Sequence, residues 1–119
     1  KTIAGFMNTK GGTLLIGRDD SGNILGLEQD YQSLKKKNRD GFELQIYQLI
    51  TNDIGIEFCS LVDVDFYDFD EKDVCMLRIK VAISPAYVHS RNKTSFYIRT
   101  GNSTKPLTIQ EAVKYINTR

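Results

Sequence analysis

Residues Val62 to Val81 constrain the fold more tightly than any other stretch of the chain. Val62, Val64 and Phe66 alternate with Asp63 and Asp65, and Cys75, Leu77, Ile79 and Val81 alternate with Arg78 and Lys80. Alternation at period two puts one set of side chains on a buried sheet face and the other in water. Two such runs flanking Asp70-Glu71-Lys72-Asp73 predict an antiparallel hairpin. A turn centred between Glu71 and Lys72 places Val64 opposite Ile79, Phe66 opposite Leu77, Asp65 opposite Arg78 and Asp63 opposite Lys80. Opposite charges directly across a strand pair contribute roughly 0.2–1 kcal/mol each. A one-residue slip would turn all of these charges into the core, so the two faces are strongly specified.

The remaining segments supply partners for that hairpin. Ile3, Phe6 and Met7 have helical spacing, and Gly11 after Lys10 is where a left-handed helix cap is expected. Thr13 to Ile16, bounded by Gly12 and Gly17, predicts a central strand buried on both faces. Asp19-Asp20-Ser21-Gly22-Asn23 reads as a turn, with a short returning strand over Ile24 to Leu27. Phe42, Ile46, Leu49 and Ile50 predict a helix from Gly41 to Asn52, ended by Gly55 and followed by a strand from Ile56 to Phe66. After Pro85, Tyr87 to His89 and Ser95 to Arg99 predict a last hairpin with Phe96 and Ile98 inward and Tyr97 and Arg99 outward. Thr108-Ile109-Gln110-Glu111 is a capping box opening a closing helix, with Leu107 and Ala112 at the staple positions. The expected class is α/β of the α+β kind: a mostly antiparallel sheet with helices packed against it, in a single domain over residues 1–119.

Composition narrows the functional classes. A chain of 119 residues with 40% hydrophobic and 26% charged residues can bury one core, which excludes disordered and fibrous classes. Its longest apolar run, around Leu14 to Ile16, is far short of the ~20 residues a membrane-spanning helix requires, so no membrane partner is expected. Sixteen Lys and Arg against 15 Asp and Glu leave a net charge of +1, and any charge signal must be local. Cys59 and Cys75 are too few for a disulfide scaffold and are read as reduced and cytoplasmic. The chain opens at Lys1 inside a helical pattern, so a fragment of a longer protein is expected.

Several patterns could carry chemistry. Thr9-Lys10-Gly11-Gly12-Thr13 has the composition of a phosphate-binding glycine loop in reversed order, because here the glycines end a helix and start a strand. A helix cap is the better reading, and no cofactor is expected. Asp63, Asp65, Asp68, Asp70, Glu71 and Asp73 could hold a hard divalent ion. Basic cross-strand neighbours and an exposed turn favour an ion-paired, hydrated face instead, so no metal is expected. The single histidine, His89, excludes a histidine metal cluster and reads as a surface residue. Lys35-Lys36-Lys37 with Arg39 is either a hydrated loop or a phosphate-binding run. Arg99, a strand-end residue, is followed by Gly101, Asn102, Ser103, Thr104 and Lys105, which either cap their own loop or grip a phosphate backbone, with Tyr97 alongside for base stacking.

Ala4-Gly5-Phe6-Met7-Asn8-Thr9-Lys10-Gly11-Gly12, the strand after it, and Ile16-Gly17-Arg18-Asp19-Asp20 resemble the signature of the Schlafen AlbA-like DNA-binding domain family. Gly22 to Leu27, Asp40-Gly41-Phe42-Glu43 and Phe96 to Thr104 extend the resemblance over nearly the whole chain. It implies a nucleic-acid-binding module, DNA above all, of a cytoplasmic bacterial transcriptional regulator or of a protein related to ATP-dependent DNA helicases. The chain carries no helicase motor motifs. In eukaryotic relatives, paired copies of the domain form a metal-assisted RNA-cleaving nuclease. Two glutamates of its carboxylate triad precede the segment where this chain begins, and the third matches Asp19 or Asp20. The expected contacts are Arg99, Asn102, Ser103, Lys105, Tyr97 and Lys10, with Arg18, Lys35, Lys36 and Lys37 in second place. A nuclease fragment and a protein-interaction or homodimerisation module are the alternatives.

Overall fold

A computed structural model describes all 119 residues. The order of elements is α1 (Thr2–Asn8), β1 (Gly12–Ile16), α2 (Glu28–Tyr31), α3 (Arg39–Asp53), a 3-10 helix (Ile56–Leu61), β2 (Val62–Phe69), β3 (Lys72–Ile79), β4 (Tyr87–Ser90), β5 (Lys93–Thr100), β6 (Ser103–Leu107) and α4 (Ile109–Thr118). The strands form two three-stranded antiparallel sheets, ordered β1-β3-β2 and β4-β5-β6. This is the α+β class expected from the sequence.

The β2–β3 hairpin forms with the expected faces and a different register. Val62 pairs with Ile79, Val64 with Leu77 and Phe66 with Cys75, two residues away from the expected pairing. The turn is the two-residue loop Asp70-Glu71, both at positive φ (51° and 66°), as a tight hairpin whose twist matches its strands requires. A shift of two preserves side-chain parity, so the hydrophobic set stays inward. Arg78 stands opposite Asp63 and reaches diagonally to Asp65, Nη2 to Oδ2 at 2.6 Å. Both partners are substantially exposed, so the pair contributes under about 1 kcal/mol.

Three further expectations are corrected. β1 is an edge strand with alternating burial, Leu15 facing water; β3, with Val74, Cys75, Leu77 and Ile79 buried, is the centre. The segment before Val62 is a 3-10 helix that buries only Phe58, so no strand begins at Ile56. Residues 24–27 make a single bridge, Arg18 with Ile24, before Leu27 enters the core. One strand was not anticipated: β6 pairs along β5 with Pro106 included, tolerated because β6 is an edge strand. The last hairpin and the Thr108–Glu111 capping box form as expected, except that Arg99, expected outward, is half-buried beneath α1 against Phe6, because α1 covers that face of the second sheet.

The main core joins Ala4 and Met7 of α1, Leu27, Tyr31, Ile46 and Ile50 of the helical layer, and Val62, Cys75, Leu77 and Ile79 of the first sheet, and it continues into Ala82 and Ala86. Burial pushes the Cys75 thiol up to about 12. In the second sheet Phe96 packs between Tyr87 and Tyr115 at centroid distances of 5.6 and 6.1 Å, and α4 covers it through Ala112.

Candidate nucleic-acid interface

The Asn-Thr and Gly-Gly residues near the amino end bind the two sheets together. Asn8, fully buried, donates from Nδ2 to the carbonyls of Ala86 and Tyr97, both at 2.9 Å, and accepts at Oδ1 from the Ala86 N–H at 2.8 Å. Every hydrogen-bonding position of its side-chain amide but one lone pair is thereby used. Thr9 Oγ1 accepts from the Arg99 N–H at 2.9 Å and donates to the Gly5 carbonyl at 2.9 Å. Gly5 lies against the Ile98 backbone and the Thr104 side chain, where a Cβ would stand 3.2–3.4 Å from its neighbours. Gly11 has φ +69°, and a Cβ there would come within 2.5 Å of the Ile79 carbonyl. Its N–H closes the end of α1 on the Phe6 carbonyl at 2.7 Å, the capping role expected of it. Asn8 is the residue the sequence reading missed as a structural centre. A buried polar side chain leaves no periodic trace.

Helix α1 crosses the second sheet from β6, where Thr2 meets Thr104, toward Ala86 at the entry to β4. It covers the rung on which Arg99 pairs with Thr104 and leaves Thr100 to Ser103 projecting beyond it. Arg99 is drawn into this junction. Its guanidinium carbon lies 4.8 Å from the Phe6 ring centre, and Nη1 donates to Thr104 Oγ1 at 2.8 Å. Past it, Gly101 adopts φ +60° with open space around its α-carbon, and Asn102, Ser103 and Lys105 are exposed. Tyr97 is half-buried at the base, its carbonyl taken by Asn8. Lys10 is not brought to this tip; it emerges where Gly11 touches Ile79 and Val81.

Arg18 and the lysines lie elsewhere. From Ile79, beside α1, the strand β3 runs back to Asp73, about 20 Å at ~3.3 Å per residue. At that end Asp73 fastens two helices. Its Oδ2 accepts from the Tyr31 hydroxyl at 2.6 Å and its Oδ1 from Arg39 Nη2 at 2.7 Å, while its N–H donates to Glu28 at 3.2 Å. The Arg39 guanidinium holds the Asp73 carboxyl below the usual carboxylate range, and burial first, then Asp73, pushes the Tyr31 phenol up. Between these anchors runs the loop carrying Lys35, Lys36 and Lys37, all exposed, with Leu34 packed against the core. Lys36 reaches Asp40 at 3.6 Å; Lys35 and Lys37 have no ion-pair partner. Arg18 is exposed next to the turn at this same end, since Gly17 abuts the Asp73 carbonyl. The Tyr31–Asp73–Arg39 set was also missed, because its members are 42 and 34 residues apart in sequence.

The carboxylates do not fit a hydrolytic metal. Asp19 Oδ1 accepts from the N–H groups of Ser21 and Asn23 at 3.0 and 2.8 Å, and Oδ2 from Asn23 Nδ2 at 3.1 Å. The Asn23 N–H is the main reason its carboxyl lies below the ordinary value. Asp19 therefore closes a turn with lone pairs a metal would need. Asp20 is exposed beside it, and no three His, Cys, Asp or Glu side chains converge anywhere in the structure.

Two small antiparallel sheets joined across an amino-terminal helix, with basic side chains left in water at both ends, define an α+β domain of the AlbA-like type. Residues 1–108 match the family described as "Schlafen, AlbA_2", and the chain belongs to that family. No curated protein matches it. Its backbone is similar to the crystal structure of the DIP2311 protein from Corynebacterium diphtheriae, with a TM-score of 0.57 and 24% identity over 88% of this chain. The match covers 18% of the DIP2311 chain, so this chain spans less than a fifth of that length.

Proposed function

We propose that the chain is a nucleic-acid-binding module that contacts the phosphate backbone. The observation that carries this reading is two groups of exposed cations outside the structure's ion pairs: Lys105 with Asn102 and Ser103 at the β5–β6 tip, and Lys35 and Lys37 on the loop with Arg18 at the same end; Lys10 is exposed apart from both. Asn102 and Ser103 offer donors to phosphate oxygens, and Lys105 offers charge. Arg99 and Tyr97 act from the base of the hairpin. DNA is the proposed ligand, and the proposed setting is a single domain of a longer, cytoplasmic bacterial regulator or helicase-related protein. Family membership and the much greater length of the DIP2311 chain support that setting.

Fluorescence anisotropy with duplex and single-stranded DNA and RNA, across a salt series, tests the reading. Affinity is expected to fall with salt and depend weakly on sequence, and Lys105→Ala should lower the salt slope by about one. Absence of binding at low salt overturns it. A homodimerisation module is the second reading, favoured by the exposed apolar residues Val81, Ile83 and Tyr87 around a cleft of about 430 Å³. Sedimentation equilibrium showing a concentration-dependent dimer without nucleic-acid affinity would select it.

A further inference from the structure

We propose that Asp73 is a positioning residue for nucleic-acid binding: one carboxylate fastens both ends of the lysine loop and holds Lys35 and Lys37 as a preformed pair of phosphate contacts. This rests on the nucleic-acid reading above.

The loop leaves α2 at Tyr31 and enters α3 at Arg39, and both residues end on the same carboxylate, one oxygen each, at 2.6 and 2.7 Å. Asp73 sits in β3, the central strand, so its position is fixed by the first sheet. The Arg39 guanidinium is further held over the Phe66 ring at 5.7 Å, and Phe42 packs edge-on against both Tyr31 and Phe66 at about 6 Å. Within the loop, the Asn38 side chain accepts from the Gly41 N–H at 2.9 Å, and the Lys36 carbonyl lies against the Gly41 α-carbon so closely that no side chain fits there. The loop is thus a closed lobe with its lysines outward. A flexible lysine run would lose the ordering entropy on binding, whereas a preformed one does not.

The sign of one substitution separates positioning from simple charge. Asp73→Asn removes a negative charge at the base of the lysine loop, so an electrostatic account alone demands tighter binding to DNA. The positioning account demands weaker binding, by about threefold or more at low salt, with faster amide exchange over residues 32–38 in the free protein. Tyr31→Phe, which releases one end and leaves the Arg39 pair, is expected to fall between Asp73→Asn and the unchanged chain in both measurements. In a Lys35→Ala, Lys37→Ala background, Asp73→Asn should have no further effect on affinity. Tighter binding by Asp73→Asn, unchanged exchange over 32–38, or an undiminished effect in the Lys35→Ala, Lys37→Ala background each overturns the proposal. If the unchanged chain binds no nucleic acid while Asp73→Asn still loosens the loop, the phosphate-binding reading fails and the positioning role fails with it. The clamp is then a purely structural one.

Discussion

The β5–β6 hairpin and the lysine loop present similar chemistry to solvent and are held in opposite ways. At the hairpin the charged residue of the strand, Arg99, is spent on the interior: Phe6 lies under it and Thr104 Oγ1 accepts a hydrogen bond from it. Only Asn102, Ser103 and Lys105 at the tip are left for a partner. At the loop the order is reversed. The interior work falls to Tyr31, Asp73 and Arg39 at the base, and Lys35 and Lys37 take no part in it. Residues that support the fold and residues that can meet a ligand are interleaved along one strand in the first case and separated into base and rim in the second. Mutations at the hairpin should therefore change stability and binding together, and mutations at the rim of the loop should change binding alone.

The harshest test is at the junction under the hairpin. Asn8→Ala strands the N–H and carbonyl of Ala86 and the half-buried carbonyl of Tyr97, and should cost about 3 kcal/mol or more in equilibrium denaturation. A cost below about 1 kcal/mol would mean that the two sheets are not coupled through this residue. Next, Gly41→Ala forces the Lys36 carbonyl away from α3 and should cost about 2 kcal/mol by the same measurement, with faster exchange confined to the loop. Equal loosening of the hairpin would erase the proposed independence of the two regions. Arg99→Ala should cost about 1 kcal/mol and weaken binding, whereas Lys35→Ala with Lys37→Ala should leave the melting temperature unchanged and lower the salt slope of binding by about two.

The gentlest discrimination is by acid. Arg39 depresses the Asp73 pKa in the folded chain, so its contribution is present above the ordinary carboxylate value near ~3.9 and is lost as pH falls through the lower folded value. The hairpin junction uses an amide, hydroxyls and backbone groups, none of which titrates there. Hydrogen exchange between about pH 4 and pH 2.5 should therefore show residues 32–38 loosening before residues 96–106; simultaneous loosening would refute the contrast.

How far these regions can be read from sequence follows from what each leaves in the residue order. The faces of β2 and β3 are legible because alternation survives any even shift; their register is not, because it hangs on whether Asp70 and Glu71 both accept positive φ. β6 escapes notice because Pro106 and the small polar residues before it read as loop, and only pairing with β5 makes them a strand. The exposed lysines and the polar tip are visible at once. The groups that hold them, Asn8 and Asp73, are single polar residues whose partners lie between 34 and 89 positions away, and no local pattern encodes that distance. The family resemblance marks Asn8 as part of a motif without saying that its work is structural.

The carbonyl of Asn8 has a consequence for the order of folding. It accepts from the Tyr115 hydroxyl at 2.8 Å and from Arg119 at 3.2 Å, and Arg119 also donates to the Ala82 carbonyl. These contacts span 107 and 111 residues, the kind of long loop closure that slows a folding reaction. On a ribosome Gly11 caps α1 at once, but the Asn8 carbonyl waits for its two donors until more than a hundred further residues are made. The junction beneath the hairpin is thus completed only once Tyr115 and Arg119 are made, whereas the Ala4 and Met7 face of α1 is covered by core residues between Leu27 and Ala86 that are made earlier.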